Sequence, residues 1–325
     1  MSEKPKVIST VTLDDDLWRK LTDTCDARFV DRGLPRAELL AELRDCTGAI
    51  GTTLDTVDKE FFDAAPKLRV FSTHSVGYDG IDVDEATRRG ILVCNTPGVL
   101  TNAVANLTVA MILCLARRLF VYEAYAKSGD WARREPKPPL GVDVEGKTVG
   151  VVGFGRIGQE VTRRAQALGM RTIWYDVFDA AHESAPKSEY RPLESLLEES
   201  DFVTLHSNLS ESTHHVVNES ALNRMKGSAY LINTARGPLV DQAALTEALK
   251  SDKIAGAALD VFETEPVDEN DPLVKMDNVI CLPHMGTATE ETRRAMRELA
   301  VENLLTALAG RRPPAPVNPE VLERE

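Results

Sequence analysis

Hydrophobic positions along this chain gather into short apolar runs separated by longer amphipathic stretches. Strand-like runs occur at 6–10 (KVIST), 27–31 (ARFVD), 48–53 (GAIGTT), 68–74 (LRVFSTH) and 91–96 (ILVCNT). Helical patterns such as DLWRKLTDTC and PRAELLAELRDC lie between them. The alternation resumes at 147–153 (KTVGVVG), 171–176 (RTIWYD), 202–206 (FVTLH), 229–234 (AYLINT), 255–261 (AGAALDV) and 279–283 (VICLP). Continuous apolar strands alternating with helices predict parallel sheets covered on both faces. Two such series predict an α/β protein with two doubly wound parallel-sheet domains.

The segment between the series, residues 100–131, carries no proline and one late glycine. It reads as one long helix, with Ala103, Ala105, Ala110 and Ala116 suited to close packing and an interdomain or intersubunit role. A last amphipathic helix is expected at about 289–310 and can return to the first domain. The tail RRPPAPVNPE is Pro-rich and expected to lie extended on the surface.

Composition narrows the function. The chain has 325 residues, about right for two domains, and a net charge of −13. That balance argues against nucleic acid or an anionic membrane as partner. No apolar stretch is long enough for a membrane span, and the charged start lacks a signal-peptide core. The five cysteines are scattered without a CxxC pair, which fits reduced thiols in the cytoplasm. The lone C-x-x-H of Cys281 and His284 has no second pair, so no metal site is expected.

KTVGVVGFGRIGQEVTRRAQALG combines a strand, the glycines Gly153, Gly155 and Gly158, and a helix start. GxGxxG alone is a weak signal, but here a carboxylate, Asp176, ends the next strand eighteen residues beyond Gly158. This is a dinucleotide fingerprint in its structural context. Gly153 would allow the tight turn, Gly155 the approach of a pyrophosphate, and Gly158 close helix–strand packing. Asp176 would accept the ribose hydroxyls and repel a 2′-phosphate, and Val177, Phe178 and Asp179 offer no arginine. NAD is therefore expected rather than NADP. The expected cofactor-binding residues are Gly153, Gly155, Arg156, Ile157, Gly158, Asp176, Thr234 and Asp260.

Arg236, Glu265 and His284 each follow an apolar strand of the second series, where doubly wound sheets collect ligands. Singly, each has an ordinary structural explanation. Together they suit reduction of a 2-keto acid: arginine anchors the carboxylate in bidentate fashion, histidine supplies a proton, and glutamate holds the imidazole. The other histidines are weaker candidates. His74 and His206 end strands, His214 and His215 precede a helix start at Asn218, and His182 lies in a polar turn.

The motifs SVGYDGIDVDEATRRGI, NTPGVLTNAVANLTVAMIL, GKTVGVVGFGRIGQ, LINTARGPLVD, AALDVFETEP and LPHMGTATEETRRAM cover nearly the whole chain. They resemble the D-isomer-specific 2-hydroxyacid dehydrogenases, most of all their glyoxylate/hydroxypyruvate reductases. The resemblance implies a catalytic set of Arg236, Glu265 and His284. It implies a backbone loop for the substrate carboxylate at Ser75, Val76 and Gly77. It also implies a flavodoxin-like substrate domain over 1–100 with 288–325, a Rossmann cofactor domain over 101–287, and a homodimer built around the long helix. Three departures stand out: Asn208 where the loop usually has proline, Asn106 where the helix is usually acidic, and no tryptophan after Trp131 before the glycine domain. The leading expectation is reduction of glyoxylate or hydroxypyruvate to the D-2-hydroxy acid. Alternatives are a dehydrogenase of another 2-hydroxy acid, and an NADH-binding corepressor-like protein, which resembles this family but carries long disordered extensions.

Overall fold

The computed structural model describes residues 3–52, 55–177 and 186–323. The chain divides into two compact units, Met1–Leu100 with Ala288–Glu325, and Thr101–Thr287.

In the first unit, strands β1 (Lys6–Ser9), β2 (Asp26–Phe29), β3 (Gly48–Gly51), β4 (Val70–Thr73) and β5 (Leu92–Cys94) alternate with helices α1 (Asp15–Thr24), α2 (Arg36–Glu42), α3 (Lys59–Ala64) and α4 (Val83–Arg88). All pair in parallel in the order β2-β1-β3-β4-β5, the flavodoxin-like arrangement. β3 and β4 are buried throughout, which explains their unbroken apolar character.

The second unit begins with α5 (Thr101–Ala116), α6 (Leu119–Lys127) and α7 (Asp130–Arg133). Next come β6 (Thr148–Val152), α8 (Arg156–Ala167), β7 (Arg171–Tyr175), β8 (Glu189–Tyr190), α9 (Leu193–Glu199) and β9 (Phe202–Leu205). It ends with α10 (Glu219–Arg224), β10 (Tyr230–Asn233), α11 (Gln242–Lys250), β11 (Gly256–Leu259) and β12 (Val279–Cys281). The parallel order β12-β11-β10-β9-β6-β7-β8 is the dinucleotide-binding order extended by one strand. The expected α/β fold with two doubly wound parallel sheets is therefore present. The sequence pattern misses β8, whose two residues are both exposed and so leave no apolar signature. α12 (Glu290–Leu308) rejoins the first unit. It packs on β3 and β4 through a face that includes Met296, Ala300 and Leu304. A Cβ at Gly48 would lie 2.8 Å from Leu304 Cδ1, so the small residue lets the helix seat.

Two expectations fail. Residues 100–131 are not one helix. The Ala116 carbonyl, which a continuing helix would use, accepts the Val142 N–H at 2.7 Å instead. A Cβ at Gly141 would stand 2.3 Å from that oxygen, so only glycine brings the returning strand of chain so near. Arg118 turns left-handed (φ 50°) and the axis bends by 63°. Gly129 (φ 82°) makes the second break. Of the four alanines only Ala105 and Ala116 are fully buried, where α5 packs along α8, β10 and β11. Among the described residues no single helix is long and apolar enough to cross a membrane. The bent pair Thr101–Arg117 and Leu119–Lys127 has the length and composition only when its two parts are taken together.

The Pro-rich tail, expected to lie extended on the surface, instead docks with Pro313, Ala315 and Asn318 buried. Val317 N–H donates to the Val93 carbonyl at 2.8 Å, and Asn95 N–H to the Ala315 carbonyl at 3.1 Å, so the tail seals the open edge of β5. Asn318, 1% exposed, accepts the Val93 N–H and donates to the Ile91 carbonyl. Unpaired edge groups favour such cover, and proline content alone does not reveal it.

Candidate active site

The glycine loop joins β6 to α8. Gly153 takes φ 94°, and a Cβ there would stand 2.4 Å from Ser207 N. A Cβ at Gly158 would stand 2.2 Å from the Gly153 carbonyl oxygen. Gly155 differs: a Cβ on it would meet no heavy atom within 4 Å. Neither protein packing nor a left-handed φ requires glycine at 155. It is the N-cap of α8 and offers no side-chain cap, which leaves the first helical amides available to an anion. This cradle suits the pyrophosphate of a dinucleotide. Arg156 is exposed and Ile157 half-buried at the same helix start.

Asp176 follows β7, and its Oδ2 accepts the Phe154 N–H at 2.7 Å. The carboxylate is thus fastened to the glycine loop. Gln159 fastens the same residue from the other side, donating to the Phe154 carbonyl at 2.9 Å. The Phe154 ring stacks on Trp174 at 4.5 Å. Val177 is exposed; Phe178, Asp179 and His182 lie outside the described residues.

Arg236 follows β10 on a turn stapled by buried Asn233. The Asn233 side chain accepts the Ala235 N–H at 3.1 Å and donates to the Arg236 carbonyl at 2.8 Å. Arg236 Nη1 donates to the Ala235 carbonyl at 2.7 Å. Gly237 presses on the chain leaving β11, where its Cβ would stand 1.9 Å from the Phe262 carbonyl carbon.

That chain carries Glu265, whose Oε1 accepts the Phe262 N–H at 3.0 Å and whose Oε2 lies 2.7 Å from His284 Nδ1. A carboxylate only accepts, so Nδ1 carries the hydrogen and Nε2 is the nitrogen that can exchange a proton. His284 sits beyond β12 at φ 51°, an unfavourable region for a residue with a side chain. Asp260, 1% exposed, enforces it. Its carbonyl accepts the His284 N–H at 2.9 Å, its Oδ1 the Met285 N–H at 2.7 Å, and its Oδ2 the Gly286 N–H at 2.8 Å.

The electrostatics follow. The hydrogen bond from Glu265 pushes the His284 imidazole above its usual pKa; burial and the Arg236 charge oppose this, and the Glu265 and Asp260 charges add to it. Burial drives the Glu265 carboxyl upward, but the His284 bond and charge outweigh it and leave it below its usual range. The Arg236 charge lowers both proton affinities, adding to the shift of Glu265 and opposing that of His284. Burial lifts Asp260 above the usual carboxylate range, against the bonds from Met285 and Gly286.

Thr234, nearly buried, meets the Thr108 hydroxyl of α5 at 2.9 Å. In the first unit the Ser75–Gly77 segment is held by its carbonyls: that of Ser75 accepts the Thr96 N–H at 2.9 Å and that of Val76 accepts Asn95 Nδ2 at 2.7 Å. His206 is half-buried at the end of β9: desolvation drives its pKa down to about 3, and its Nε2 lies 2.9 Å from Thr204 Oγ1. His74 lies against the Arg293 carbonyl at 3.4 Å, and burial lowers its pKa. Asn218 caps α10, and His214 and His215 stack on each other just before it. At the Asn106 departure, Asn106 and Asn102 both accept from the Arg164 guanidinium, at 2.7 and 2.9 Å. Sequence reasoning misses Asn233 and the part of Asp260 in shaping the histidine turn. Their signal is a short polar residue closing an apolar strand. Among the described residues no cluster of three or more His, Cys, Asp or Glu could hold a metal.

Comparison with known proteins identifies the family. Residues 109–286 match the model of the D-isomer specific 2-hydroxyacid dehydrogenase NAD-binding domain. The chain is 46% identical to a glyoxylate reductase of Korarchaeum cryptofilum, over 98% of each chain. Its fold superposes on a glyoxylate reductase from Paecilomyes thermophila with a TM-score of 0.91 and 31% identity, covering 98% of this chain and 100% of the other. A glyoxylate/hydroxypyruvate reductase of Sinorhizobium meliloti, NADPH-dependent and solved with NADP and malonate, gives 0.88 at 33% identity over 97% of each. With a dinucleotide cradle, a strand-end Arg–Glu–His cluster and these relatives, the chain belongs to the D-isomer specific 2-hydroxyacid dehydrogenases.

Proposed function

We propose that this protein reduces a small 2-keto acid, glyoxylate or hydroxypyruvate, to the D-2-hydroxy acid with NADH. The observation that carries the reading is the 2.7 Å Glu265–His284 pair in the field of Arg236. Arg236 pairs with the substrate carboxylate through its planar fork. His284, kept protonated by Glu265, gives the proton on Nε2 to the carbonyl oxygen as that oxygen gains charge. The bound nicotinamide supplies the hydride. Ser75, Val76 and Gly77 serve as a backbone loop for a substrate carboxylate, a role supported by the family resemblance. Gly153, Gly155, Arg156, Ile157 and Gly158 would cradle the pyrophosphate, and Thr234 and Asp260 would help hold the cofactor.

Asp176 supports NADH over NADPH, because a carboxylate at that strand end repels a 2′-phosphate. The Sinorhizobium meliloti relative is NADPH-dependent and was solved with NADP; for this chain the NADH reading rests on Asp176. Exposed Leu119, Phe120, Trp131 and Leu140 support a homodimer, and five free cysteines support a cytoplasmic location. A panel of 2-keto acids assayed with each cofactor tests the reading. NADH oxidation is expected with glyoxylate or hydroxypyruvate, and inertness toward both overturns it.

A further inference from the structure

We infer that His215 and Glu263 form a clamp that positions the two backbone segments carrying Arg236 and Glu265, an inference that rests on the acid–base reading above. His215 lies in the loop between β9 and α10 at φ 50°. Its N–H donates to the carbonyl of Pro238, two residues beyond Arg236, at 2.8 Å. Its Nε2 lies 2.7 Å from Oε1 of Glu263, two residues before Glu265. The same residue therefore reaches one segment through its backbone and the other through its ring. His214 stacks on that ring with centroids 3.9 Å apart.

Glu263 is held a second time. Its Oε1 accepts the Gln242 N–H at 3.3 Å, and its own N–H donates to Gln242 Oε1 at 3.1 Å. Gln242 in turn donates to Asp271 Oδ2 at 2.6 Å. Gly237 and Phe262, each next to a residue the clamp holds, also approach closely, so the clamp fixes the Arg236 turn against the Glu265 loop. Stability alone is a poor reason for this arrangement. Both side chains of the pair are 34% exposed, and ion pairs that open to water contribute little, while a left-handed histidine costs energy. Geometry at the carboxylate that sets the proton affinity of His284 is a better one, because a displacement of about 1 Å can lower a rate about a hundredfold.

The test uses His215→Asn, Glu263→Ala and Glu263→Gln in the full chain, assayed with NADH and glyoxylate beside His284→Ala. Asparagine tolerates the left-handed backbone but is too short to reach Glu263. His215→Asn and Glu263→Ala should lower kcat by about ten- to a hundredfold with NADH affinity unchanged. Their kcat/KM basic limb should move to lower pH: the groups facing His284 are Glu265, Arg236 and Asp260, both variants keep the backbone bond from residue 215 to Pro238 beside Arg236, and the hold on Glu265 is loosened. Glu263→Gln should recover most of the rate, because its amide oxygen still accepts from His215 and Gln242. Wild-type kcat with an unshifted limb in both disrupted variants overturns the clamp. If His215→Asn does not fold, the Glu263 pair decides. Full activity in His284→Ala overturns the site itself, whereas an inactive His284→Ala beside unaffected clamp variants overturns only the clamp.

Discussion

Glu265 Oε2 stands 2.7 Å from His284 Nδ1 although the two residues leave different strands, β11 and β12. The contact raises the proton affinity of His284 and lowers that of Glu265. Reduction consumes the protonated imidazole, so kcat/KM should hold above the ordinary histidine pKa of about 6.5 and fall as pH rises through the raised value. Glu265→Gln removes the negative charge, and the falling limb should move to lower pH. A pH profile of the glutamine variant that overlays wild type would exclude Glu265 as the tuner.

The same pair has a stability signature. The folded pKa of His284 lies above its unfolded value, so its stabilisation is complete below about pH 6.5. It is lost as pH rises through the folded pKa. In His284→Gln that component of the pH dependence should vanish, as read by urea unfolding across the interval.

His284→Ala removes the proton donor and should lower kcat by about 10²–10⁴-fold. NADH binding, followed by fluorescence, should persist. Retention of full turnover would place the donor elsewhere.

Arg236→Lys keeps the charge but loses the fork. A hydrogen bond to a charged group contributes about 1.5–3 kcal/mol, so kcat/KM should drop roughly ten- to a hundredfold. Steady-state kinetics with glyoxylate check this, and an unchanged value would sink the carboxylate-anchor role.

The glycine loop allows a paired test. Gly158→Ala drives a Cβ to 2.2 Å from the Gly153 carbonyl oxygen and should lower both Tm and NADH affinity. Gly155→Ala meets no protein atom within 4 Å; it should leave Tm nearly in place while weakening NADH binding. Equal NADH affinity in Gly155→Ala and wild type would mean that the cofactor passes elsewhere.

For Asp176, NADH should be preferred over NADPH by at least about tenfold in kcat/KM, as two like charges at close range cost a few kcal/mol at an effective dielectric near 20. Asp176→Ser with Val177→Arg should erode or reverse the preference. Equal use of NADPH by the unaltered protein would mean that the carboxylate points away from the ribose, as its bond to Phe154 N–H permits.

Much of this protein is written in local pattern. Buried parallel strands are largely apolar, and seven of the eleven runs read from the sequence form strands buried at every position (β3, β4, β5, β6, β9, β10 and β11), so the runs and their order already name a doubly wound α/β fold; even β2 keeps its polar–apolar alternation although three of its four residues are exposed. The glycine loop is equally local, because turn, cradle and helix start occupy six consecutive residues. What the sequence alone leaves undecided depends on contacts between distant segments. The break after Ala116 comes from Val142, the sealed edge of β5 from Val317, and the left-handed turn at His284 from Asp260, twenty-four residues earlier. Local periodicity reports which face of an element is buried, whereas a backbone group's actual partner is chosen by whatever the fold brings within about 3 Å.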